Sequence, residues 1–82
     1  MKGLDEQSKK DLKIVGLRVR YYRSIKDMSM EELAAQAGVS EQVIRNLESA
    51  KNFTNHGVGM FMRVSRILGV TMGKLFDHGD DI

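Results

Sequence analysis

Residues 29–48, SMEELAAQAGVSEQVIRNLE, constrain this chain more than any other stretch, because they encode two short helices meeting at a tight glycine turn. Ser29 and Glu32 have the spacing of a capping box, in which each side chain bonds the other residue's backbone N–H. Leu33 and Ala37 then fall four residues apart on one helical face. Gly38 follows, a residue type that leaves a helix in the left-handed conformation without a Cβ penalty. Ser40 is placed to cap a second helix, whose Ile44 and Leu47 lie three apart on one face. A helix pair of this kind turns its apolar residues toward a small core and offers a polar helix face outward.

The rest of the chain provides a frame for that pair. Periodicity predicts an all-α chain of five helices without strands. Residues 1–9 read as a flexible amino-terminal arm. A first helix is expected over residues 10–26, with Leu12, Val15, Val19 and Tyr22 at the 3–4 spacing of a core face. Asp27 and Met28 connect it to the second helix, residues 30–37, and the third covers residues 41–49. Residues 50–59, polar and glycine-bearing, form the longest loop. A fourth helix over residues 58–68 buries Phe61, Val64 and Leu68, and Gly69 ends it. Thr71 caps a last short helix through Phe76. The domain is thus expected to span residues 10–77, with residues 78–82 as a tail.

Size and composition set limits. A chain of 82 residues makes one small domain, burying only about 60% of its unfolded surface. It must use its helices well or lean on a partner subunit. There is no cysteine and no proline, so disulfide staples are excluded and a reducing cytoplasm is compatible. No apolar run approaches the ~20 residues of a membrane span. The amino terminus, MKGLDEQSKK, lacks the apolar stretch of a secretory signal. A net charge of +2 is too small to imply a nucleic-acid partner by itself. Its distribution says more, because Lys9, Lys10, Lys13, Arg18, Arg20, Arg23 and Lys26 crowd the first third.

Leu33, Ala34, Ala37 and Gly38, followed by Val39, Ile44 and Leu47, resemble the helix-turn-helix of the Cro/C1-type (XRE) repressor family. The resemblance runs from about residue 15 to residue 76. It implies a compact five-helix, lambda-repressor-like bundle and a sequence-specific double-stranded DNA-binding transcriptional regulator, a repressor in its usual form. Ala34 must be small because the next helix crosses close above it. The resemblance also pairs Arg23 with Glu48 as a structural ion pair, whereas the alternative reading leaves both as solvated surface charges.

Mapped onto this sequence, the family's base-contacting positions are Ser40, Glu41, Gln42, Val43 and Asn46. Residues near the start of the recognition helix enter the major groove first. Gln42 and Asn46 have the chemistry to bond adenine N6 and N7, Arg45 suits guanine O6 and N7 or a phosphate, and Glu41 suits cytosine N4. Val43, if exposed, would suit a thymine methyl group. Phosphate contacts are expected from Ser29, the Met30 backbone N–H, Arg45, Lys51, Asn52, Thr54, Asn55 and His56. Met60, Met62, Met72, Leu75, Phe76 and Ile82 place more apolar surface on the last two helices than a small monomer needs. A homodimer reading a palindrome with half-sites about 34 Å apart is therefore expected.

This chain departs from the family pattern in several places. Met30 stands where many relatives have a glutamine that braces a phosphate and a neighbouring recognition residue. Ala50 stands where a glycine commonly follows the third helix, so the exit is longer or strained. The following loop is longer than usual and lacks the common proline, and Glu41 sets an acidic group near phosphates. A second reading follows: a protein-interaction module, antitoxin-like or adaptor, that keeps the fold. An enzyme is not expected. His56 and His78 are the only histidines. Asp77, His78, Asp80 and Asp81 read as a solvated acidic tail rather than a metal cage. Gly57 and Gly59 give a bare G-x-G with no preceding strand. No cofactor, metal or small-molecule ligand is expected.

Overall fold

The computed structural model describes residues 5–50 and 57–76. These residues form five helices and no strand: α1 (Glu6–Ile25), α2 (Met30–Ala37), α3 (Glu41–Ser49), α4 (Gly57–Leu68) and α5 (Met72–Phe76). The limits of α2 and α3 are those the caps predict. α1 begins at Glu6 rather than Lys10, so residues 6–9 belong to the helix and not to an arm. Apolar periodicity could not reveal that first turn, because it is polar throughout and is set by a cap. The Asp5 carboxylate accepts from the Ser8 backbone N–H at 2.7 Å, and that bond holds the carboxyl below its ordinary pKa. Gln7 adds an i, i+4 bond to Asp11 at 2.9 Å.

Each turn has a local cause. α1 closes with the Met28 N–H on the Arg23 carbonyl and Asp27 in the left-handed region at φ 53°, a Schellman-type end on one of the few side chains that tolerate it. In α2 both halves of the capping box form: Ser29 N–H to Glu32 Oε1 at 2.8 Å, and Glu32 N–H to Ser29 Oγ at 3.0 Å. Gly38 ends α2 at φ 75°. From α4, Arg63 Nε donates to the Ala37 carbonyl at 3.1 Å, satisfying a terminal acceptor of α2 from across the bundle.

The core gathers one face of every helix: Val15 and Val19 from α1, Leu33, Ala34 and Ala37 from α2, Ile44 and Leu47 from α3, Met60, Phe61, Val64 and Leu68 from α4, and Leu75 from α5. Leu12 and Tyr22, expected inside, are half-buried at its edge. Phe61 meets Phe76 edge-on, ring centroids 5.3 Å apart. From the interior of α1, Arg18 donates to the Lys74 carbonyl at 3.2 Å and ties α5 down.

α1 and α3 approach closely at Gly16. A Cβ placed there would lie 2.5 Å from the Leu47 carbonyl oxygen and 2.6 Å from that of Glu48. The two backbones therefore touch with no side chain between them.

α3 ends at Ala50 in the left-handed conformation, φ 57° and ψ 32°. This is the strained exit expected where relatives carry glycine. An L-residue with a Cβ costs about 1–2 kcal/mol in that region, partly offset by the lower unfolded-state entropy of alanine. Ala50→Gly is therefore expected to raise stability by about 0.5–1 kcal/mol. Thermal unfolding checks it: a lowered midpoint would show that the Ala50 methyl packs favourably enough to outweigh the strain.

Candidate nucleic-acid interface

The start of α3 is set by Ser40, whose Oγ accepts from the Val43 N–H at 3.3 Å, and its inward face by the buried anchors Ile44 and Leu47. With those two turned inward, Glu41, Gln42 and Arg45 are exposed, and Asn46 is half-exposed. The outward side chains are already organised in two i, i+4 pairs. Gln42 Nε2 donates to Asn46 Oδ1 at 2.9 Å, and Arg45 Nη2 meets Glu41 Oε2 at 2.7 Å. Such exposed pairs are worth only about 0.3–0.5 kcal/mol each. They order the side chains yet exchange readily for other partners.

Some expected readers stand elsewhere. Val43 is half-buried and packs against the core, so its methyl groups are largely occupied. Ser40 is exposed, but its oxygen is engaged as a cap. Ser29 is likewise exposed with its oxygen accepting from Glu32, leaving the hydroxyl proton free to donate. Met30 is half-buried against the core, and its backbone N–H belongs to the unpaired first turn of α2. Lys51, Asn52, Thr54, Asn55, His56 and the acidic residues after Phe76 lie outside the described residues.

Behind the polar ridge, Arg23 and Glu48 form the ion pair that the resemblance implies. Arg23 Nε lies 2.6 Å from Glu48 Oε2, and Nη2 lies 2.9 Å from Oε1, a bidentate fork. The side chains are 14% and 7% exposed. Nη1 donates in addition to the Met28 carbonyl at 2.8 Å. One guanidinium thus joins α1, the turn before α2, and the end of α3. The Glu48 hydrogen bond pushes the Arg23 guanidinium above its ordinary pKa, against the opposing effect of burial. Its contribution to stability is present below the unfolded-state value and is lost only as pH rises through the raised one.

Sequence reasoning missed Gly16 and Arg63. Gly16 did leave a signal, since a glycine inside a periodic helix costs about 1 kcal/mol relative to alanine and calls for a reason. Arg63 left none, because its partner is a backbone carbonyl on another helix.

Two helices at a glycine turn, the second with a buried apolar face and an ordered polar ridge, define a helix-turn-helix domain. A helix-turn-helix family model matches residues 19–75, and the chain belongs to the Cro/C1-type (XRE) helix-turn-helix family. It is 33% identical over 65 residues to the HTH-type transcriptional regulator SinR of Bacillus subtilis, covering 79% of this chain and 58% of that protein. The chain thus spans less than two thirds of that relative's length. The fold superposes on SinR, the master regulator for biofilm formation, solved in complex with DNA. The TM-score is 0.68 at 33% identity, with 77% of this chain and 98% of that one covered. The P22 c2 repressor shares the lambda-repressor-like fold with a TM-score of 0.71 at 21% identity, over 80% and 97% of the two chains.

Proposed function

We propose that this chain is a sequence-specific double-stranded DNA-binding transcriptional regulator, acting as a repressor, that reads the major groove with α3. The observation that carries this reading is the ordered pair Gln42–Asn46 on the outer face of α3. With Gln42 Nε2 committed to Asn46 Oδ1, the pair still presents Gln42 Oε1 as an acceptor and Asn46 Nδ2 as a donor. Those are the groups that complement adenine N6–H and N7 in the major groove. The Glu41–Arg45 pair supports the same reading, because it neutralises the carboxylate that would otherwise repel phosphate.

Gln42→Ala and Asn46→Ala are each expected to lose about 1–3 kcal/mol on an operator selected from random duplexes, with little change on random DNA. Equal losses on both DNAs would remove the base-reading role. No binding to any duplex at low salt would favour a protein-interaction module on the same fold.

A palindromic operator and a homodimer belong to the same proposal. Met62 on α4 and Phe76 on α5 are 43% and 39% exposed. Met60 and Leu75 are buried, and Met72 packs against the core, so they are spent within the monomer. Ile82 lies outside the described residues. Among the described residues no helix is long and apolar enough to cross a membrane. A site of action in the cytoplasm, where the DNA is, follows from the proposed function.

A further inference from the structure

We propose that a groove at the meeting of α1, α2 and α3 holds a phosphate of the DNA backbone, and that Arg20 is the side chain that holds it. The inference rests on the DNA-binding reading and adds to it a contact made from α1, outside the helix-turn-helix itself.

The groove has a volume of about 270 Å³ and is lined by Arg20 and Arg23 from α1, Met30 from α2, and Arg45, Glu48 and Ser49 from α3. Three guanidinium groups face one carboxylate there. Glu48 is already taken by Arg23 in the buried bidentate pair, and Arg45 is shared with Glu41 at the outer edge. Arg20 is exposed and has no hydrogen bond or ion pair among the described residues. Among the described residues the groove therefore carries an uncompensated positive charge, and a group with five N–H donors delivers it.

Position points to a phosphodiester rather than to a free anion. Arg45 and Ser49 border both the groove and the polar ridge of α3, so a backbone running along α3 in the major groove passes the groove mouth. Met30 lines the groove at the start of α2 and offers no side-chain donor toward it. The donor missing at that place is available from Arg20, one helix away. Bidentate guanidinium geometry matches two phosphate oxygens.

The test is the salt dependence of binding to a nonspecific duplex, measured for the wild type, Arg20→Gln, Arg20→Lys and Lys13→Gln. Lys13 is exposed on α1 outside the groove and controls for loss of one charge. Each phosphate contact contributes about −0.9 to the slope of log K against log [salt]. Arg20→Gln is expected to flatten the slope by about that amount and to weaken operator and random DNA by the same factor. Arg20→Lys should keep most of the slope, and Lys13→Gln nearly all of it. Melting curves of Arg20→Gln and wild type should coincide.

An unchanged slope for Arg20→Gln while the wild type binds steeply would overturn the groove assignment alone. So would an equal effect of Lys13→Gln, or a collapsed melting point for Arg20→Gln, which would make Arg20 a structural residue. A wild type that binds no duplex would overturn the underlying DNA reading as well.

Discussion

Replacing Arg23 with methionine is expected to cost about 3–5 kcal/mol and to unfold much of the domain, not merely to weaken its binding. The side chain is of similar length and apolar, so packing alone would predict a mild effect. The cost comes from what remains behind. Glu48, with its side chain only 7% exposed, would lose both N–H donors and sit as a nearly dry, unpaired carboxylate. The Met28 carbonyl would lose its donor as well. A domain of this length has a total stability of about 4–12 kcal/mol, so the loss would consume a large share of it. Chemical denaturation of Arg23→Met and of the double variant Arg23→Met, Glu48→Leu separates the causes. The double variant should recover much of the loss, because it removes the stranded charge together with its partner. A melting temperature unchanged in the single variant would show that the pair is dispensable.

Gly16→Ala should be more damaging than the same change at Gly38, Gly59, Gly69 or Gly73, at about 1–3 kcal/mol or more. Alanine favours a helix interior over glycine by about 1 kcal/mol, so propensity alone predicts stabilisation. Contact geometry reverses the sign. The added Cβ would come within 2.5–2.6 Å of two backbone carbonyl oxygens, which cannot swing aside as a side-chain tip would. α3 would have to move away from α1 as a unit, and the Arg23–Glu48 fork would stretch with it. DNA affinity should fall along with stability, because the recognition helix is what moves. A stabilised Gly16→Ala would show that α1 and α3 stand farther apart than this geometry has them.

Much of the helix-turn-helix is legible in the sequence. Ser29 with Glu32, Gly38 and Ser40 each act on their own backbone neighbours, and so α2 and α3 begin and end where those residues say. The inward positions Leu33, Ile44 and Leu47 follow from helical period and are fully buried or nearly so. The start of α1 escaped, because Asp5 caps a turn with no apolar residue to mark it. Val43 shows the same limit from the other side. Its position suggested an exposed reader, yet a residue on the edge of an amphipathic helix is assigned to core or surface by the neighbouring helices.

Sequence alone thus determined the local matters: where the two short helices begin, which face of each is apolar, and that the exit from α3 at Ala50 would be longer or strained. Each depends on interactions within a few residues, and those are written in the order of the chain. Only the tertiary structure decided how closely α1 and α3 approach at Gly16, which carbonyl Arg63 caps, and that Arg20 has no partner among the described residues beside Arg23 and Arg45. Those facts join residues far apart in sequence, and their geometry exists only once the helices have packed.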